Sequence, residues 1–148
     1  MSSSSASSEL ETAALAAALA RDLPRGAVVY VEGELGAGKT AFVRGAARAL
    51  GVTGAVTSPT FTVAHLYDGA DGAVAHLDLS RSERVDDAAW GDLEPYFEDV
   101  RAVFVEWASA GAGVLPPPYA VVLITVLGDG ARQIDVGPAP RPTETGPE

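Results

Sequence analysis

A chain of 148 residues, 47% of them hydrophobic, is long enough for a single domain with a sizeable core. Its net charge of −10 makes it a poor holder of RNA or DNA by itself, because nucleic-acid affinity is mostly phosphate neutralisation by Lys and Arg. The absence of cysteine excludes disulfides and thiolate metal sites and agrees with a reducing cytoplasm. No apolar run reaches transmembrane length. The serine-rich start lacks the basic and hydrophobic parts of a secretory signal, so a cytoplasmic protein without a membrane partner is expected.

Residues 1–8 read as a flexible segment. Ser8-Glu9-Leu10-Glu11 then fits a capping box, with Ser at the N-cap and Glu at N3. The helix that follows presents Leu15, Ala18 and Leu19 on one face and ends near Pro24. Residues 27–32, Ala-Val-Val-Tyr-Val-Glu, form an apolar, β-branched run that reads as a buried strand. Residues 39–50 place Phe42, Val43, Ala46, Ala47 and Leu50 at helical spacing, and Gly51 stands where a glycine would close that helix.

Residues 52–60 read as a loop ending in Ser58-Pro59-Thr60. Strands are expected at about 61–67 and 73–78, and Asp68, Gly69, Asp71 and Gly72 between them predict an antiparallel hairpin. Short helices are expected over 83–99, where seven acids face one Arg as a solvated face or a dock for a basic partner. Residues 101–106 read as another buried strand. Pro116, Pro117 and Pro118 mark a rigid connection. Residues 119–127 read as a core strand, and Gly128-Asp129-Gly130 turns into a shorter strand near 132–137. The tail 138–148 is Pro-, Thr- and Glu-rich and is expected to be disordered, which leaves a single domain at 9–137.

Between the first strand and its helix lies Gly33-Glu34-Leu35-Gly36-Ala37-Gly38-Lys39-Thr40, a complete G-x-x-x-x-G-K-[ST] phosphate-binding loop. Its glycines let backbone N–H groups curl around phosphate oxygens. Lys39, the only lysine in the chain, reaches the β and γ phosphates, and the Thr40 hydroxyl ligates Mg²⁺. Strand, loop and helix are the context that the motif needs. With helices and strands alternating early and hairpins later, the fold expected is α/β, a three-layer P-loop NTPase-like sandwich around a central mixed β-sheet.

A phosphate loop needs an acid opposite it to complete the Mg²⁺ shell. Two candidates close apolar strands, where ligands gather in open α/β sheets: Glu106 after Val103-Phe104-Val105, as in a Walker B element, and Asp78 after Ala73-Val74-Ala75-His76-Leu77. One acid can serve the metal through water while the other orients the attacking water; the residues leave open which does which. Either can instead be a strand-end carboxylate paired with an Arg. Thr60, behind Pro59, can bring a hydroxyl to Mg²⁺ or the γ-phosphate as a switch segment does, or belong to a turn. Arg81 has two readings, a transition-state charge partner or a surface ion pair. His65 and His76 read as sheet residues. Trp107 reads as core, or as a nucleotide or partner contact.

Guanine-specific loops usually read the base with an Asn-Lys-x-Asp element, which a chain with one lysine cannot contain, so ATP is expected. A small nucleotide or metabolite kinase is the alternative. The remaining arginines are scattered, and no cluster resembles a kinase lid. A non-catalytic, nucleotide-dependent adaptor is a third reading.

Over roughly residues 8–137 the chain resembles the bacterial TsaE (YjeE) family. The likeness rests on the loop at 33–40, Phe42-Val43-Arg44-Gly45, Ser58-Pro59-Thr60-Phe61-Thr62, His76-Leu77-Asp78-Leu79, Val105-Glu106-Trp107 and Gly113-Val114-Leu115-Pro116. It departs from the family pattern at Ala41, at Ser80 (usually Tyr) and at Ala108 (usually Pro). The resemblance implies an ATPase, slow without partners, that joins TsaD-type and TsaB-type proteins in threonylcarbamoyl modification of the tRNA adenosine beside the anticodon. The tRNA would belong to those partners. It implies ATP and Mg²⁺ as cofactors, Thr40 and Glu106 as metal ligands, and Lys39, Asp78 and Glu106 as the catalytic set. The region around Glu9 would line the adenine side. The nucleotide-binding candidates are Glu9, Glu34, Leu35, Gly36, Ala37, Gly38, Lys39, Thr40, Thr60 and Arg132.

Overall fold

The computed structural model describes residues 2–34, 36–56, 63–81 and 84–138. Among the described residues, seven strands and three α-helices follow one another as β1 (Ser2–Ala6), α1 (Glu9–Arg21), β2 (Ala27–Gly33), α2 (Lys39–Ala49), β3 (Ala64–Gly69), β4 (Gly72–Asp78), α3 (Asp87–Leu93), β5 (Ala102–Glu106), β6 (Ala120–Val126) and β7 (Arg132–Pro138). Short 3₁₀ turns occupy Glu94–Phe97 and Ala108–Gly111. The strands form one sheet in the order β1-β7-β6-β2-β5-β4-β3. Its four central strands, β6, β2, β5 and β4, run parallel, and antiparallel partners flank them on both sides.

The parallel centre explains the apolar runs. A strand covered by helices on both faces needs apolar side chains at every position, and all five β5 residues are buried. Alternation then divides the core. Val29, Val31 and Phe104 pack under α1 and α2 with Phe42, Val43, Ala46 and Ala47. Val103 and Val105 face the other way, towards α3 and the 3₁₀ turns, with Leu77, Leu79 and Leu93. The result is the three-layer α/β sandwich that the residue pattern predicts.

Most elements fall where expected. Phe42, Val43, Ala46 and Ala47 of α2 are all buried, as is Leu50 at its C-cap. Gly51 closes that helix at φ +92°, with its N–H donating to Arg48 O at 3.1 Å. The β3–β4 hairpin is antiparallel, pairing Ala64 with Leu77 through Gly69 with Gly72.

Three expectations change. Ser2–Ala6, read as part of a flexible segment, is an edge strand. It pairs antiparallel with β7 through backbone bonds that serines make as readily as other residues, and the buried Ala6 anchors it. In α1 the buried positions are Thr12, Ala16 and Ala20, with Leu15 and Leu19 only partly buried and Ala18 exposed. β6 is core on one face only: Val122 and Ile124 are buried, whereas Leu123 is 45% exposed because the apolar cluster on its side of the sheet includes no β6 residue. The N-cap also differs in detail. Ser8 Oγ accepts from Glu11 N as predicted, but the Glu11 carboxylate accepts from the Ser7 N–H and hydroxyl rather than from Ser8 N, which holds it below the usual carboxylate range. The tail beyond Pro138, with residues 57–62, lies outside the described residues.

Candidate functional site

Three neighbouring parallel strands end at the same edge of the sheet. β2 runs into the loop 34–38 and then α2, β5 ends at Glu106, and β4 ends at Asp78, directly opposite Glu106 in the register. This is the edge where open α/β sheets gather ligands. The loop's shape depends on two glycines for different reasons. Gly38 sits at φ +103°, in the left-handed region that ordinary side chains avoid, and starts α2. At Gly33 a Cβ would lie 2.7 Å from the Ile124 carbonyl, so β2 can approach β6 here only without a side chain.

Lys39 is buried at the start of α2. Its Nζ donates to the carbonyls of Gly33 at 2.7 Å and Glu34 at 2.9 Å and lies 4.5 Å from the Trp107 ring centroid. The ammonium is thus held at the mouth of the loop by two dipoles and a π face. The Trp107 backbone is itself left-handed, at φ 59°; strain of this kind in a non-glycine residue concentrates at functional sites. Glu32, near the end of β2, has its carboxyl pushed up by burial, and the Lys39 charge opposes that push. On the same strand burial, with a smaller contribution from Glu32, pushes the Tyr30 phenol up to about 12; its hydroxyl donates to Pro116 O at 2.6 Å.

Thr40 Oγ1 donates to Glu106 Oε2 at 3.3 Å, which ties the first turn of α2 to the end of β5. Glu106 is buried, and its Oε2 also meets His76 Nε2 at 2.6 Å. Asp78 Oδ1 accepts from Ser80 N at 2.9 Å. A cleft of about 400 Å³ is lined by Gly36, Gly38, Lys39, Thr40, Asp78, Glu106 and Trp107, with Glu9 and Arg44 also in its wall. A second hollow of about 280 Å³ lies on the other side of the loop, lined by Ser7, Ser8, Glu9, Thr12, Ala37, Gly38 and Arg132 among others. Arg132 fixes that side, donating from Nε to Ala37 O at 2.7 Å and from a terminal nitrogen to Gly36 O at 3.4 Å.

The structure therefore brings together Lys39, Thr40, Asp78 and Glu106, and places Glu9, Gly36, Ala37, Gly38 and Arg132 around them. Glu34 contributes its carbonyl, while its side chain is exposed. Leu35 and Thr60 lie outside the described residues. Arg81 is exposed in the turn after β4. His65 is a sheet residue as read, against the Tyr67 hydroxyl on β3. His76 is more than that: it touches the candidate metal carboxylate. The signal that could have found it is its place two residues before Asp78, on the same face of a strand whose neighbour ends in Glu106. Among the described residues no group of three or more His, Cys, Asp or Glu could hold a metal ion, and no helix is long and apolar enough to cross a membrane.

Sheet order and helix placement define a mixed-sheet α/β sandwich with a phosphate-loop sequence between β2 and α2. Comparison with known proteins narrows the class. The family model "Threonylcarbamoyl adenosine biosynthesis protein TsaE" matches residues 6–134. The chain is 38% identical over 124 residues to the tRNA threonylcarbamoyladenosine biosynthesis protein TsaE of Bacillus subtilis, covering 84% of this chain and 77% of that protein. Its counterpart in Treponema pallidum is 34% identical over 126 residues, covering 85% and 93%. The crystal structure of Bacillus subtilis YdiB superposes with a TM-score of 0.77 at 32% identity, covering 93% of this chain and 85% of that one. The chain belongs to the TsaE family.

Proposed function

We propose that the protein binds and hydrolyses ATP with Mg²⁺ as an accessory subunit of tRNA threonylcarbamoyladenosine synthesis, acting with TsaD-type and TsaB-type partners. The observation that carries this reading is the approach of Thr40 Oγ1 to Glu106 Oε2 at the mouth of a complete phosphate loop. A hydroxyl and one carboxylate are too few donors for a site made by protein alone. They suit Mg²⁺, which keeps several waters and takes phosphate oxygens as its other ligands. When bound, the ion would neutralise charge on the phosphates and raise the electrophilicity of the terminal one.

The chain's own residues supply the rest. Backbone N–H groups at 36–38 and the N-terminus of α2 would receive the phosphates. Lys39, held beside Trp107, adds a positive charge without a long search through rotamers. In this reading Asp78, across the β4–β5 register from Glu106, would orient the attacking water while Glu106 stays with Thr40. Arg132 holds the loop carbonyls of Gly36 and Ala37, and Glu9 with Ser7 and Ser8 offers polar groups to the base. The acidic surface leaves the tRNA to the partners.

ATP turnover tests the reading. Partners of the TsaD and TsaB type should raise it, and Lys39→Ala or Glu106→Ala should lower it by about 10²-fold or more, the scale of losing one charge-stabilising group. Turnover that ignores both the partners and the substitutions would sink the proposal. Phosphate delivered to a nucleoside or metabolite, rather than released, would favour a kinase.

A further inference from the structure

We infer that His76 is a positioning residue, holding the Glu106 carboxylate in place beside Thr40 for a divalent cation; this rests on the metal reading above. β4 and β5 run parallel with Asp78 opposite Glu106 and His76 opposite Phe104. His76 and Glu106 therefore lie on one face, a diagonal step apart, and the imidazole reaches forward along the strands to the carboxylate. Nε2 meets Oε2 at 2.6 Å. A carboxylate oxygen facing it makes Nε2 the donor.

Two donors from two different elements, Thr40 on α2 and His76 on β4, thus converge on the same oxygen. Oε2 is tied down and Oε1 takes neither bond. A carboxylate held in this way cannot rotate freely when a cation arrives, which is the usual work of groups behind a metal ligand.

Packing alone does not account for the residue. His76 is completely buried, and its Nδ1 has no hydrogen-bond partner among the described residues. An orphaned buried nitrogen carries a desolvation cost that an apolar side chain of similar volume would avoid. The contact with Glu106 is the one hydrogen bond that the imidazole makes among the described residues.

The test compares wild type, His76→Phe and His76→Gln by the affinity for a fluorescent, non-hydrolysable ATP analogue, with and without Mg²⁺. Phe keeps the volume and loses the donor; Gln restores an N–H near the position of Nε2. Affinity without Mg²⁺ should be alike in all three. The gain on adding Mg²⁺ should shrink about 10- to 100-fold in His76→Phe, the range for outer-shell partners of metal ligands, and largely return in His76→Gln. A wild-type gain retained in His76→Phe overturns the inference. So does equal weakening in Phe and Gln without Mg²⁺, which marks a packing effect. Should His76→Phe not fold, His76→Asn, polar but too short to reach Glu106, replaces it with the same outcomes. A wild-type protein whose affinity ignores Mg²⁺ sinks the metal reading itself, whereas a responsive wild type whose gain is retained in His76→Phe sinks only the role of His76.

Discussion

The Tyr30 phenol shows how a single residue records its surroundings. Its pKa is pushed up to about 12, first by burial and then by the charge of Glu32, while its hydroxyl donates to Pro116 O. The unfolded phenol ionises near 10. The folded protein therefore keeps this proton longer, and its contribution to stability is complete below pH 10 and is lost as pH rises from about 10 to about 12. Phenolate absorbance in an alkaline titration should show one of the four tyrosines ionising last, and Tyr30→Phe should remove that component. No late component would contradict the burial. Single residues also divide what could be read beforehand. Lys39, Thr40, Asp78 and Glu106 were legible because a loop motif and strand-end acids are local patterns. The role of His76 was not, since it depends on a partner 30 residues away and on the register of two strands. The left-handed backbone of Trp107, whose ring lies against Lys39, likewise leaves no local signature.

At the scale of elements, the contact between α1 and α2 decides how the loop helix is held. A Cβ on Gly45 would lie 2.6 Å from Ala13 Cα and 2.8 Å from its carbonyl oxygen. Both obstacles are backbone, so α1 would have to move. Gly45→Ala gains up to about 1 kcal/mol of helix propensity, yet overpacking of this kind costs about 1–3 kcal/mol. The net expectation is a loss of up to about 2 kcal/mol in urea unfolding; a stabilised variant would mean that the helices separate easily. The same closeness explains why the buried face of α1 was misplaced from sequence. Helices that approach this tightly bury small residues, so Ala16 and Ala20 lie inside while Leu15 and Leu19 sit at the margin. An apolar-periodicity reading follows the leucines. α2 was read correctly because Phe42 and Val43 are both large and central. β1 escaped notice because a serine run has no apolar alternation, and its pairing with β7 is a property of backbones rather than of side chains.

For the whole molecule, charge and site location bear on the division of work with partners. The sheet, with its parallel centre and hairpin flanks, was legible in outline because buried strands and hairpin turns mark themselves; its strand order was not, because order is set by which apolar faces meet. The basic residues are few, and several are engaged close to home: Lys39 and Arg132 hold the loop, Arg44 bonds to Val56 O, and Arg25 pairs with Asp71. Non-specific RNA binding in the range of about 10⁻⁴–10⁻⁶ M relies on a set of Lys and Arg that neutralise several phosphates together. With a net charge of −10 and these cations committed, the chain's overall field repels a polyanion beyond the reach of individual side chains. The protein alone, with ATP and Mg²⁺ present, should therefore give no tRNA complex tighter than about 10⁻⁴ M in a gel-shift or filter assay at physiological salt. Lowering the salt strengthens the repulsion as well as any isolated contact, so no steep rise in affinity should follow. A micromolar complex that tightens steeply as salt falls would place the tRNA on this chain and overturn the proposed role of an acidic subunit that leaves the nucleic acid to partners.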